Sequence, residues 1–170
     1  DRRPVKVGLI GAGQMGQEII AQVGEMVGME IVAVTDLTVD RARLGYTYSA
    51  RQKPVGDARD PAEAGRAVRD GHWVAGTDWR IVTDNPEVEA VIDATGSPQL
   101  GAEISQAAIR NRTHIVMMNV ECDITVGPAL RRLADAAGVV YTLASGDEPA
   151  AILELWRFAR ALGFDVVAAG

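Results

Sequence analysis

The chain has 170 residues, 48% of them apolar and 24% charged, with a formal net charge of −6 at pH 7, which is the profile of a globular domain with one sizeable core. The acidic balance excludes a non-specific nucleic-acid binder, which needs a basic face to release counterions, and no apolar run approaches the ~20 residues that span a bilayer. Cys122, the one cysteine, has no disulfide partner, and no Cys/His cluster has metal-site spacing. With no signal peptide ahead of the first strand, the expectation is a cytoplasmic protein without a metal site.

Residues 5–10 form an apolar, strand-like run, followed by Gly11, Ala12, Gly13, Gln14, Met15 and Gly16 and by a helix-like stretch from 15 to about 27. A second strand-like run over 31–35 ends in Asp36, twenty residues past Gly16. A lone G-x-G-x-x-G matches many glycine turns. Strand, glycine turn, helix, strand and terminal acid in this order mark a dinucleotide-binding unit. Gly11 permits the sharp turn out of the strand, Gly13 leaves room for a pyrophosphate against the main chain, and Gly16 lets the helix pack on the strand. Gln14 and Met15 then lie in the first turn, whose free N–H groups face the phosphate. Asp36 is placed to accept hydrogen bonds from the adenosine ribose.

Farther along, a helix is predicted over 39–49, and residues 51–76, rich in Gly, Asp, Arg and Pro, read as an irregular insertion with one amphipathic helical piece over 61–68. Order resumes at 79–82, taken as the third strand, and Asp84, Asn85 and Pro86 follow as a helix cap and first turn. The fourth strand ends at Asp93 and a helix runs from about 99 to 111. The fifth strand covers 114–118, and a helix starts at Thr125 or at Gly127 with Pro128 and ends at Gly138. The sixth strand covers 139–143, the last helix 148–162, and residues 164–170 read as a strand leading elsewhere. This alternation predicts an α/β fold, a doubly wound parallel sheet in three α/β/α layers of the Rossmann type, as one domain over 1–170. Because the chain starts at Asp1 and ends on a strand, it is expected to be a fragment of a longer enzyme.

Ligands of such sheets bind beyond the carboxyl ends of the strands. Thr95, Gly96 and Ser97 follow the fourth strand and offer small side chains and hydroxyls to the nicotinamide half of a cofactor. Asn119 and Glu121 end the fifth strand, where an amide and a carboxylate can orient a substrate or move a proton; a polar helix cap is the alternative. Asp147, beside Glu148, is a third catalytic candidate; the two carboxylates can bind a divalent cation or a polar substrate, with a helix-dipole role as the alternative. Asp36 favours NAD by repelling a ribose 2′-phosphate, whereas Arg41 and Arg43 a few residues on can pair with that phosphate; NAD or NADP is the cofactor expected. His72, His114 and Cys122 read as structural.

The motifs Asp93-Ala-Thr-Gly-Ser-Pro98, Met117-Met-Asn-Val-Glu121 and Ser145-Gly-Asp-Glu-Pro149 resemble those of homoserine-dehydrogenase-like oxidoreductases that carry a C-terminal SAF domain. That branch includes enzymes similar to 1-deoxy-D-xylulose 5-phosphate reductoisomerase. The resemblance spans residues 5–170 and implies an N-terminal NAD(P)-binding domain with catalytic and dimerisation elements following. It also implies a lysine-rich segment after Gly170, so that this fragment binds cofactor without turning over substrate alone. The expected partner is a small-molecule substrate, with no nucleic acid and no membrane, and with a homo-oligomer left open. Two other readings share the glycine turn: a non-catalytic nucleotide-sensing module, motivated by having Lys6 and Lys53 as the sole lysines, and a methyltransferase, disfavoured because no reversed final hairpin is evident.

Overall fold

A computed structural model describes residues 3–144 and 148–168. Seven strands, β1 (Val5–Ile10), β2 (Met29–Thr35), β3 (Val55–Asp57), β4 (Trp73–Gly76), β5 (Ala90–Asp93), β6 (His114–Met117) and β7 (Tyr141–Leu143), form one sheet in the order β3-β4-β2-β1-β5-β6-β7. Every pairing is parallel. The helices are α1 (Gln14–Glu25), α2 (Val39–Tyr46), α3 (Pro61–Arg69), α4 (Arg80–Thr83), α5 (Pro98–Arg110), α6 (Val120–Ala137) and α7 (Glu148–Ala161).

Alternation along the strands splits the core into two layers. On β1, Val7 and Leu9 pack with Ile20 and Val23 of α1 and with Ala42 and Tyr46 of α2. The other face buries Ile10 with Ala64 and Val68 of α3, Ile81 and Val82 of α4, Ile104 and Ala108 of α5, and Leu130 and Ala134 of α6. The doubly wound, three-layer architecture is therefore as expected. The strand order reverses between β1 and β5, and the chain ends of these strands face the same end of the sheet as the glycine turn.

Five assignments differ from the sequence reading. The region 51–76 is not an insertion but supplies two strands, β3 and β4, at one edge of the sheet; at three and four residues they are too short to show a period. Residues 79–82 are not a strand. Arg80 N–H donates to the Asp78 carboxylate at 2.9 Å and opens the one-turn helix α4, whose Val82 fills the space left by Gly8 and whose Ile81 fills that left by Gly76. A buried apolar run of this length fits either state until its neighbours are known. Asn85 and Pro86 form a turn rather than a helix start. The helix read from 125 or 127 begins at Val120, with Pro128 inside it, and residues 164–168 are not in a strand.

Candidate cofactor site

The glycine turn performs three separate tasks. Gly11 has φ +98°, and a Cβ there would lie 2.6 Å from the Ala94 carbonyl oxygen, so the β1 exit needs glycine for conformation and for space. A Cβ on Gly16 would lie 2.1 Å from the Gly11 carbonyl oxygen, which lets α1 sit directly on the turn. Gly13 is different: its φ of −69° suits any residue, and a Cβ there would meet nothing nearer than Arg41 Nη2 at 4.0 Å. Its bareness serves the open side of the loop. Gly13 is also the N-cap of α1 without a side-chain cap. The helix ladder begins with Gln17 N–H to the Gly13 carbonyl at 2.9 Å, so the N–H groups of Gln14, Met15 and Gly16 precede it. The side chains of Gln14 and Met15 are exposed, and Gln14 donates to Glu18 at 3.4 Å.

Asp36, one residue past β2, clamps this turn. Its Oδ2 accepts from Ala12 N–H at 2.7 Å and its Oδ1 from Leu37 N–H at 2.7 Å. The Arg41 guanidinium pairs with Oδ1 at 3.2 Å, and the Asp36 side chain is 5% exposed against 51% for Arg41. The two ribose-selecting candidates are thus one unit, with an acceptor position of the carboxylate left over and guanidinium N–H groups facing outward. Arg43 does not belong to it. The arginine leaves the other way, to Asp57 at 2.7 Å and to the Val55 carbonyl at 3.3 Å, and holds β3 to α2 instead of meeting a 2′-phosphate.

A cleft of about 370 Å³ opens between the turn and the strand ends, lined by Gly11, Gly13, Asp36, Arg41, Thr95, Gly96 and Ser97, with Thr35, Leu37, Thr77 and Trp79 at its far side. Thr35 Oγ1 is buried without a hydrogen-bond partner in that wall, a donor and acceptor in reserve. A Cβ on Gly96 would meet nothing within 4 Å, so the loop after β5 is as open as that at Gly13. Sequence reasoning missed Trp79, Thr77 and Thr35; the signal for Trp79 was its place just past a strand too short to recognise.

Asn119 and Glu121 are not brought to the cleft as a catalytic pair. Asn119 is 1% exposed. Its Oδ1 accepts from Cys122 N–H at 3.1 Å, capping α6, while its amide donates to the Ser97 carbonyl at 2.8 Å, Thr95 Oγ1 at 3.2 Å and Asp93 Oδ2 at 3.4 Å. Every polar atom is committed, so Asn119 is the peg that ties the β5–α5 loop to α6. Glu121 is exposed in the first turn of α6 and lines no part of the cleft. Asp147 lies outside the described residues. Asp93, also missed as a site residue, is fully buried and takes Thr95 N–H at 2.9 Å and Thr95 O–H at 2.7 Å; burial raises its carboxyl above the usual range against the pull of these donors. Cys122 is buried and its thiol is pushed up to about 11 by burial and by Asp93 and Asp123, which suits a packed side chain and not a nucleophile.

No protein-family model and no curated protein matches the sequence. Solved structures do match in shape. An NAD-binding oxidoreductase from Klebsiella pneumoniae superposes with a TM-score of 0.59 at 20% identity, over 95% of this chain and 40% of that one. A 3-ketoreductase variant from Actinomadura kijaniata in complex with TDP-benzene and NADP gives 0.63 at 17%, over 94% and 44%. A homoserine dehydrogenase from Thiobacillus denitrificans gives 0.53 at 24%, over 82% and 29%. The chain has the Rossmann fold. It spans less than half the length of each of these three structures. The Rossmann cleft between β1 and β5 lies where the strand order reverses, the position at which such sheets take their ligands. Among the described residues no helix is long and apolar enough to cross a membrane.

If the cleft takes a dinucleotide, the Asp36–Arg41 ion pair is the local unit expected to choose between NAD and NADP. Asp36→Ala should weaken NADH binding about tenfold or more by removing a ribose acceptor and freeing Ala12 N–H, while leaving NADPH binding equal or improved; Arg41→Ala should lower NADPH binding selectively. Parallel calorimetric titrations of the two variants read both effects, and equal losses for both nucleotides in each variant would contradict this division of roles.

Proposed function

We propose that this chain is the dinucleotide-binding domain of an NAD(P)-dependent oxidoreductase of the homoserine-dehydrogenase-like type, with NAD or NADP as cofactor and a small polar or phosphorylated molecule as substrate. The observation that carries the reading is Gly13. Its backbone needs no glycine, yet it is the N-cap of α1 and lines the cleft, so a side chain there would enter the open space beside the helix N-terminus. In this reading the turn from Gly11 to Gly16 holds the pyrophosphate, Asp36 and Arg41 the adenosine ribose, and Thr95, Gly96 and Ser97 the nicotinamide half. The cofactor would supply or accept the hydride. Neither lysine nor histidine lines the cleft, so proton transfer to the substrate is assigned to a longer polypeptide carrying this domain, with the C-terminal SAF domain that the internal motifs suggest, in the cytoplasm.

Calorimetric titration with NADH and NADPH tests the reading: binding of at least one is expected, and absence of both at millimolar nucleotide rejects it. The same lack of a lysine or histidine in the cleft favours the second reading, a nucleotide-sensing module. A lysine-bearing catalytic segment in the same polypeptide decides for the enzyme, a DNA-binding or receptor domain for the sensor. Trp79 offers an independent optical check. Nucleotide binding should quench its fluorescence, and Trp79→Phe should remove most of that change while calorimetric affinity stays within the same order of magnitude; undiminished quenching in the variant would place the ligand elsewhere.

A further inference from the structure

A second hollow, of about 500 Å³, lies at the amino ends of β5 and β6, away from the cofactor cleft, and shares no residue with it. That volume falls within the about 300–1,000 Å³ of small-molecule pockets. Two of its wall residues are almost fully buried and carry polar groups with nothing to bond. Asn85 is 2% exposed; its Oδ1 accepts from Glu87 N–H at 3.0 Å, which orients the amide, and its Nδ2 has no acceptor. Thr113 is 5% exposed, and its hydroxyl has no hydrogen-bond partner among the described residues. Buried polar groups are ordinarily paired, so both lack a partner that a ligand can supply.

The charges lining the hollow say what kind of molecule fits. Glu89 is neutralised by Arg3, whose guanidinium donates to it at 2.6 and 3.0 Å. Asp84 is not: its Oδ1 accepts from Asn111 Nδ2 at 2.7 Å and from Thr83 O–H at 3.0 Å, while Oδ2 accepts from nothing and no cation pairs with it among the described residues. Against it stands Arg112, exposed, with a guanidinium that has no partner among the described residues. Arg112 follows the α5 C-cap Asn111 with φ +56°, and Thr113 N–H closes the turn on the Ala108 carbonyl at 2.9 Å. Glycine makes this turn without strain; an arginine there costs conformational energy, and its side chain lines the hollow. His114 at the rim is committed through Nδ1, which accepts from Val140 N–H at 3.0 Å. A lone anion would meet the unpaired Asp84 and a lone cation would meet Arg112, whereas a molecule carrying both charges satisfies the two together. We propose that this hollow binds a small zwitterion of the free α-amino-acid class, its carboxylate accepting from Arg112, Thr113 and Asn85 and its ammonium group donating to Asp84.

The side-chain amide signals of the full chain in a proton–nitrogen correlation spectrum, followed while each proteinogenic L-α-amino acid is titrated to millimolar concentration, read the outcome. At least one amino acid should shift the Asn85 amide pair with a saturable dependence. Its N-acetyl and carboxamide derivatives, each lacking one of the two charges, should bind at least about tenfold more weakly. Arg112→Gly should lose affinity by a similar factor while melting no lower than the unchanged chain, because glycine accepts the positive φ; an arginine serving the turn alone would leave affinity as it was. Should that turn rearrange, Asp84→Asn and Thr113→Val, which keep shape and remove one charge or one hydroxyl, should each weaken binding in the same sense. None of these readings involves the nucleotide, so they stand or fall separately from the cofactor proposal. Absence of a saturable shift with every amino acid, derivatives that bind as tightly as the parent, or affinity unchanged in Arg112→Gly and Asp84→Asn would each overturn the proposal.

Discussion

Gly13→Val should abolish dinucleotide binding, by at least about 100-fold, in a protein that melts where the unchanged chain does. The backbone there has φ −69° and an added Cβ meets only the mobile end of Arg41 at 4.0 Å, so the folded state accepts the side chain with little strain. What the valine would occupy is cleft space that Gly13 lines, where the proposed function puts the pyrophosphate beside the α1 N-terminus. Gly16→Ala is the counter-experiment. Its Cβ would collide with the Gly11 carbonyl oxygen at 2.1 Å, which no rotamer relieves, so α1 must shift and stability should fall by about 1–3 kcal/mol. Calorimetry and thermal melting of the two variants separate a binding glycine from a packing glycine in the same motif. Retained affinity in Gly13→Val would remove the central support for the proposed function.

Asn119→Ala should destabilise the fold by about 2–4 kcal/mol. The change removes the α6 cap, worth about 1 kcal/mol, and strands the Ser97 carbonyl and one oxygen of buried Asp93, at about 1–3 kcal/mol. For a domain of this size that corresponds to a melting temperature lower by roughly 5–15 °C. Asn119→Asp gives the sharper signature. It keeps the oxygen that accepts from Cys122 N–H but sets a second carboxyl against Asp93, which already lies at 0% exposure. Repulsion holds that added carboxyl above the ordinary carboxylate range in the folded state. The native state then binds more protons than the unfolded one between the two values, so stability falls as pH rises through that window. Asn119→Asp should therefore lose more stability at pH 7 than near pH 4, while Asn119→Ala should show no such added slope. A stable Asn119→Ala protein would return this residue to the list of groups that act on substrate.

The β1–α1–β2 unit and its ligand loop were legible because everything that defines them is local. Glycines at fixed offsets, an apolar strand on either side and an acid at the second strand's end lie within 36 residues, and each has one mechanical reason to be there. The loop after β5 was legible for the same reason. Elsewhere short range misled. β3 and β4 are three and four residues long, and their strand state comes from the edge of β2 that they extend, not from a period of their own. The apolar run at 79–82 is helical because the glycines at 8 and 76 leave holes in the sheet face that Val82 and Ile81 fill. Pro128 looks like a helix start, but Asn119, capping from nine residues upstream, had already begun the helix.

By itself the sequence determined the fold class, the position of the glycine turn and the acid that clamps it. Those depend on backbone geometry and spacing within one supersecondary unit. Tertiary structure alone decided which polar residues are free to meet a ligand. Arg41 turns to Asp36 and stays at the cleft, whereas Arg43, two positions on and equally basic, is drawn to Asp57 across the strand edge. Asn119 is consumed by partners 22 to 26 residues away. A side chain's chemistry is written in its residue type, but its availability depends on which donors and acceptors the packed chain brings to it, and those partners are distant in sequence.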